Sequence, residues 1–325
     1  MAAKELPKIR AGMGDVGAPV VEAWSDDDYR RATGLATVLS ADGKADRVAV
    51  PALAPGALRE CYRTMLRIRA LGERRGAPAG ADPGDVPLAT LGWEAAIVGA
   101  VSALEADDVV VPGRREVAAA LWRGHSLAAL AAGAAIPRAL AVLPASPHGA
   151  THLPHATGIA WAMKMQAKGQ GTAPGSAGPG KVALAYLDRE ATSAEDFHAG
   201  LNFAGVFQVP AVFVCIDDGA ARAASSGSVE TVSETMAVKA FAYGLAAVRV
   251  DGNDLFAVHG AVRAAAARAR AGGGATLVEA ALDPGGDPLD RVKRWLAGER
   301  ILDAAGESAL RREVEAEADA AVAKA

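Results

Sequence analysis

Between residues 182 and 297 the chain switches four times from a short apolar run to a longer stretch with helical spacing. The runs VALAYL (182–187), AVFVCI (211–216), AAVRV (246–250) and TLVEAAL (276–282) precede helical patterns at 194–206, 231–243, 254–271 and 288–297. The runs are nearly continuous in apolar character rather than alternating, as a strand requires when both of its faces are covered. Alternation of this kind builds a mostly parallel sheet with helices on both faces, so the predicted fold class is α/β. Upstream, 55–75 and 93–104 read as helices. VVV at 109–111 reads as a short strand stopped by Pro112. Segments 115–122, 126–135 and 156–168 read as further helices. The stretch 304–324 reads as a charged helix with Leu310, Val314, Ala318 and Val322 on one stripe.

The remaining segments set the expected organisation. Residues 1–54 mix polar and short apolar runs with Pro, Gly and Asp, and read as an extended arm with little regular structure. Residues 76–87 are a loop by composition, and GQGTAPGSAGPG at 169–180 reads as a flexible insertion. The predicted division is an arm (1–54), one α/β domain (55–300) carrying that insertion, and a C-terminal helix (301–325).

Charge and cysteine usage narrow the function classes. The formal net charge is -4 with no block of like charges, which argues against a nucleic-acid or anionic-membrane partner. The longest apolar stretch, 127–136, is about half a membrane span. The first ten residues carry both signs of charge and no apolar core, so no secretory signal is expected and a cytoplasmic location is. Cys61 and Cys215 lie in apolar segments and make neither a disulfide framework nor a metal knuckle; Cys215 reads as a core thiol.

In a parallel sheet of this type, ligands gather beyond the carboxyl ends of the strands. Those ends are Asp188-Arg189-Glu190, Asp217-Asp218-Gly219, Asp251-Gly252-Asn253-Asp254 and the segment after Leu282. Two acidic turns suit a metal or a phosphate–metal pair, and equally suit simple capping of the helices that follow. His148, His152 and His155 have a ligand-like spacing, but Pro147 and Pro154 argue against a regular helix through them, and no Cys or carboxylate completes a set. His198 and His259 sit inside helical patterns, where a satisfied or solvent-facing imidazole is the default. Arg114, Arg115 and Arg123 suit either a phosphate or a salt-bridged helix start.

Several of these segments carry a resemblance. ALAYLDREATSAEDFHAGLNFAGVFQVPAVFVCIDDGA (183–220) resembles the alpha subunit of the decarboxylating, thiamine diphosphate-dependent first component of 2-oxo acid dehydrogenase complexes, of the pyruvate and branched-chain types. MLRIRALGERR (65–75), GWEAAIVGA (92–100), ALEADDVVVPGRREVAAALWRGHS (103–126), HLPHATGIAWAMK (152–164), KAFAYGLAAVRVDGNDLFAV (239–258) and DPLDRVKRWL (287–296) continue it in order, over roughly residues 35 to 320. The resemblance implies the thiamine diphosphate-binding fold. It also implies an alpha2–beta2 assembly in which the alpha chain holds the diphosphate and magnesium, a beta-type partner, and a lipoyl acyltransferase core as a further partner.

The departures are as informative as the match. The family's Gly-Asp-Gly turn falls on Asp188, Arg189 and Glu190, so its magnesium-binding Asp is Arg189 here. The family's Asn-Asn pair falls on Asp217 and Asp218, with the ligand position at Asp218, and the interval of 29 residues from Arg189 is intact. A guanidinium has no lone pair for a metal. The family's Tyr-Arg pair on the diphosphate reads Arg114-Arg115, the histidine two residues on is Val117, and a long loop after the last strand shrinks to residues 283–286. The resemblance therefore implies a cofactor site made of Arg114, Arg115, Asp188, Arg189, Glu190 and Asp218 that has lost its metal, with Arg189 paired to Asp218. Neither thiamine diphosphate nor magnesium is expected, and the expected role is structural or regulatory; the alternative is an active decarboxylating subunit that binds cofactor by unusual contacts.

Overall fold

A computed structural model describes residues 24–74, 92–146, 149–169, 180–219 and 231–324. The expected insertion (169–180) and the loop at 76–87 fall largely or wholly outside those residues. Five parallel strands form one sheet: β1 (Val109–Val111), β2 (Ala183–Asp188), β3 (Ala211–Asp217), β4 (Ala246–Asp251) and β5 (Thr276–Ala281), in the order β1-β2-β3-β5-β4. Their starts are aligned, with Val109 opposite Ala183, Ala183 opposite Ala211, and Thr276 between Val212 and Ala246. All carboxyl ends consequently lie along one edge.

Strand alternation sends side chains into two separate cores. Leu184, Tyr186, Val212, Val214 and Ile216 join the core under α2 (Pro55–Arg74), α3 (Glu94–Ser102), α4 (Leu127–Ala131), α7 (Leu255–Arg270), α8 (Pro288–Gly298) and α9 (Ala304–Val322). Ala185, Leu187, Phe213 and Cys215 join the other, under α5 (His152–Gly169) and α6 (Glu195–Phe207). Both faces are covered, which is why the strands read as unbroken apolar runs. No helix among the described residues is long and apolar enough to cross a membrane.

Four expectations need correction. The described part of the arm is not irregular: α1 (Asp26–Thr33) forms there. Ser25 accepts from the Asp28 N–H at 3.2 Å while Asp28 accepts from the Ser25 N–H at 3.0 Å, a reciprocal cap, and Asp26, Asp27 and Asp28 complement the helix dipole. The chain after α1 is a strap on the free edge of β4, with the Ala36 N–H donating to Arg249 O at 3.1 Å and the Asp251 N–H to Ala36 O at 2.9 Å. It is fastened by Asp254, which caps α7 and also accepts from the Val38 and Leu39 N–H groups, both at 2.6 Å.

Second, the helix expected at 231–243 is only a 3-10 segment, Ala237–Tyr243. Thr231 and Thr235 hydroxyls accept from the Ser233 and Val238 N–H groups, both at 3.2 Å, and such local bonds compete with helix formation. Third, 115–122 is likewise a 3-10 segment, Glu116–Leu121, and 126–135 shortens to α4, followed by Gly133 at φ +64°. Fourth, Pro154 does not exclude His152 and His155 from a helix. It sits in the first turn of α5, where a missing N–H costs nothing.

Candidate functional site

The carboxyl ends of β2 and β3 place Arg189 beside Asp217. Asp188 ends β2 and accepts from the Ala191 N–H at 2.9 Å, folding the chain into a 3-10 turn (Glu190–Ser193). Arg189, at the start of that turn, brings one guanidinium nitrogen, Nη1, to 3.0 Å from both Asp217 oxygens. The two side chains are 17% and 11% exposed, so the pair is largely shielded from water. Asp217 Oδ1 also accepts from the Gly219 N–H at 2.8 Å. Glycine at 219 leaves room for this approach, because a Cβ there would stand 2.8 Å from both Arg189 Nη1 and Asp217 Oδ1 and would push these side chains aside.

The expected Arg189–Asp218 pair is thus replaced by Arg189–Asp217. Consecutive side chains at a strand end project to opposite sides, so only one of the two aspartates can face Arg189. Asp218 turns toward β1 instead, with its Oδ2 3.7 Å from Arg115 Nη1. The Arg115 guanidinium also lies over the Trp93 ring, 4.8 Å from its centroid. Arg114 is half-buried next to it, and Glu190 is exposed. Both aspartates of the second turn are therefore faced by arginines from the ends of neighbouring strands.

Two groups at this edge escaped the sequence reading. Glu116, at the start of the 3-10 segment after β1, is buried, and loss of hydration together with the Asp188 charge pushes its carboxyl up to about 7. Lys239 donates to Thr192 O at 3.2 Å and to Thr192 Oγ1 at 2.9 Å; burial lowers its ammonium below the usual range, while the Cys215 thiol nearby opposes that fall. An acid in the first turn after two arginines was a visible signal for Glu116, but its burial was not.

The other sequence candidates are structural. His152 is buried, with Nε2 2.6 Å from Tyr186 O, and burial holds the imidazole below its usual range. His155 is exposed one turn along, and His148 lies outside the described residues. No group of three or more His, Cys, Asp or Glu is placed to hold a metal among the described residues. Arg123 donates to Ala106 O and to Asp108 O, so it braces the start of β1. His198 bonds the Tyr243 hydroxyl. Burial pushes the Cys61 thiol up to about 12 and raises that of Cys215, leaving both unreactive. Beyond β5 the chain closes tightly: the Asp283 N–H donates to Asn253 Oδ1 at 2.7 Å, and Asp287 caps α8 from the Leu289 N–H at 2.9 Å.

A second surface stands out on α5 and α6. Trp161, Phe203 and Phe207 stack in series, with centroids 5.4 Å (Trp161–Phe207) and 5.9 Å (Phe203–Phe207) apart. Together with Met165 and Val206 they are 41–65% exposed. Large contiguous apolar exposure of this kind marks contact surfaces.

Comparison with known proteins places this architecture. A 2-oxoisovalerate dehydrogenase subunit alpha 1 (mitochondrial) of Arabidopsis thaliana is 36% identical over 194 residues, 55% of this chain and 39% of that protein. A pyruvate dehydrogenase E1 component subunit alpha of Staphylococcus aureus is 34% identical over 198 residues, 58% of this chain and 50% of that protein. The chain thus spans between about two fifths and one half of these relatives' length. The resemblance read from residues 35 to 320 is matched by a family description only over 85–282, that of the dehydrogenase E1 component. That span runs from before β1 to just past β5, and the parallel α/β sheet it encloses is the thiamine diphosphate-binding fold. Because the match takes in more than half of the sequence and both strand-end turns, the chain belongs to the dehydrogenase E1 component family, with alpha subunits among its relatives.

Proposed function

We propose that this chain is an E1-type alpha subunit that serves a pyruvate or branched-chain 2-oxo acid dehydrogenase assembly in a structural or regulatory role, without binding thiamine diphosphate or its magnesium. The observation that carries this reading is the Arg189–Asp217 pair at the ends of β2 and β3. The donor set does not fit a metal–diphosphate group. Arg189 is a cation with no lone pair at one ligand position, Asp218 at the other is faced by Arg115, and the described residues offer no three-ligand cluster. The tight turn after β5 adds no loop over the strand ends.

Titration of the purified chain with thiamine diphosphate and magnesium should give no heat of binding. Micromolar, magnesium-dependent affinity would overturn the reading in favour of an active subunit. The apolar face of α5 and α6 supports association with a beta-type subunit, since it presents five large side chains to solvent, and the ammonium of Lys164 beside them is held on the Phe207 and Gln208 carbonyls. Co-expression with such a subunit should give a stable complex that Phe203→Glu prevents. A monomer by light scattering under co-expression would contradict the assembly role.

A further inference from the structure

Helix α5 stands between two hollows of different shape. Its outward stripe runs His155, Gly158, Ala162 and Met165 at three- and four-residue spacing, all exposed, with the smallest side chains at the centre. Nothing lies within 4 Å of where a Cβ on Gly158 would stand. On one flank α6 runs parallel to α5 in fixed register: Thr157 Oγ1 donates to Gly200 O at 2.9 Å and Lys164 Nζ to Phe207 O at 2.7 Å, the same offset of 43 residues in both. The stacked rings of Trp161, Phe207 and Phe203 stand on this flank, around a shallow hollow of about 190 Å³.

On the other flank the segment 142–146 is pinned to the outer edge of β1, with the Leu143 N–H donating to Val110 O at 2.9 Å. Between that segment and α5 lies a groove of about 760 Å³, with Val111, Leu143, Pro144, Ile159 and Ala162 in its walls. None of the described residues lining either hollow is Asp, Glu, Lys or Arg. The face therefore carries an aromatic cluster on one side of α5, an apolar groove on the other, and an open glycine between them.

A face of this form is complementary to itself. A half-turn about an axis along α5 exchanges the two flanks, so each copy's aromatic cluster meets the other copy's groove, and Gly158 and Ala162 let the two α5 helices come close. The area suffices. The three rings are 41–52% exposed, and an aromatic side chain buries about 150–250 Å² when covered, so the rings of two copies supply on the order of 600 Å². Met165, Val206 and the groove walls bring the total to the ~1,000 Å² range of a specific interface.

We propose that a second copy of this chain occupies this face, in a two-fold dimer in which Trp161 and Phe203 of each copy enter the groove beside β1 of the other and the α5 helices meet at Gly158. A beta-type subunit competes with the second copy for the same face rather than adding to it.

Sedimentation equilibrium of the full chain alone should show a dimer with a dissociation constant of about 10 μM or tighter. Phe203→Glu puts a charge on the projecting cluster, and Ala162→Lys puts one in the groove at an exposed helix position that lysine suits. Each variant alone should keep its far-UV circular dichroism and dimerise at least about tenfold more weakly. An equimolar mixture of the two variants should recover the dimer. One contact then pairs the introduced carboxylate with the introduced ammonium, and the other keeps an unmodified ring in an unmodified groove. A monomer at about 100 μM, a dimer that Ala162→Lys leaves intact, or no recovery on mixing would each overturn the arrangement. A chain that is monomeric alone yet joins a beta-type subunit overturns this inference and leaves the assembly role standing; a dimer that no beta-type subunit joins does the reverse.

Discussion

Replacing Arg189 by methionine keeps most of the side-chain volume and removes the charge that faces Asp217. At 3.0 Å and an effective dielectric of about 20, the attraction lost is about 5 kcal/mol. Both groups surrendered hydration on folding and a long side chain was ordered, which offsets roughly half of that sum. Arg189→Met should therefore destabilise the chain by about 2–3 kcal/mol. Asp217→Asn should cost less, about 1 kcal/mol, because arginine is long enough to swing its head into water whereas Asp217 is fixed at a strand end. The amide oxygen that this second substitution introduces can still accept from the Gly219 N–H. The double variant should recover part of the sum, giving a coupling energy of about 1–2 kcal/mol in a double-mutant cycle. Equilibrium denaturation of the four chains measures this directly, with melting temperatures falling by about 2 °C per kcal/mol for a chain of this size. A coupling energy under about 0.5 kcal/mol would mean that the pair is a surface contact of no consequence, and the argument that Arg189 fills this turn by charge would fail.

Two further outcomes follow from buried carboxyls. Glu116 has a folded-state value raised to about 7, so the folded chain binds more protons than the unfolded one between roughly pH 4.5 and 7, and stability attributable to this group falls as pH rises through that window. Glu116→Gln should accordingly gain stability relative to the unmodified chain as pH goes from 5 to 8, by about 2 kcal/mol; a pH-independent difference in urea midpoints would contradict the burial argument. Asp254→Ala removes the acceptor of the Val38, Leu39, Phe256 and Ala257 N–H groups. It should cost about 3–4 kcal/mol from one lost cap and two stranded donors, with hydrogen exchange at Val38 and Leu39 accelerating well before that of β3; unchanged protection there would show that the strap is held by something else.

The strap and its clamp illustrate where local reading stops. Asp254 was legible as a helix cap, because an acid before an apolar run has that role by itself. Its second role depends on a segment more than two hundred positions earlier reaching the same carboxylate, and nothing in the composition of 35–39 encodes that meeting. Helix α1 was readable in principle from Ser25 followed by Asp26, Asp27 and Asp28, yet the surrounding Pro and Gly content masked it. The same limit applies at the cofactor-like edge. Arg189 and the acids at 217 and 218 are plain in the sequence, but which aspartate meets which arginine is set by the pleat of β3 and the spacing of three strands.

The sequence by itself determined the sheet, because unbroken apolar runs separated by helical spacing admit little other than parallel strands covered on both sides. It also shows an arginine, Arg189, in the turn after one strand and two acids, Asp217 and Asp218, in the turn after the next, since residue identity and spacing need no coordinates. The tertiary structure alone decided the partner of Arg189 and the burial of Glu116. Each of these is a contact or a loss of water whose energy depends on distance and exposure, and both quantities exist only once segments far apart in the chain have been brought together.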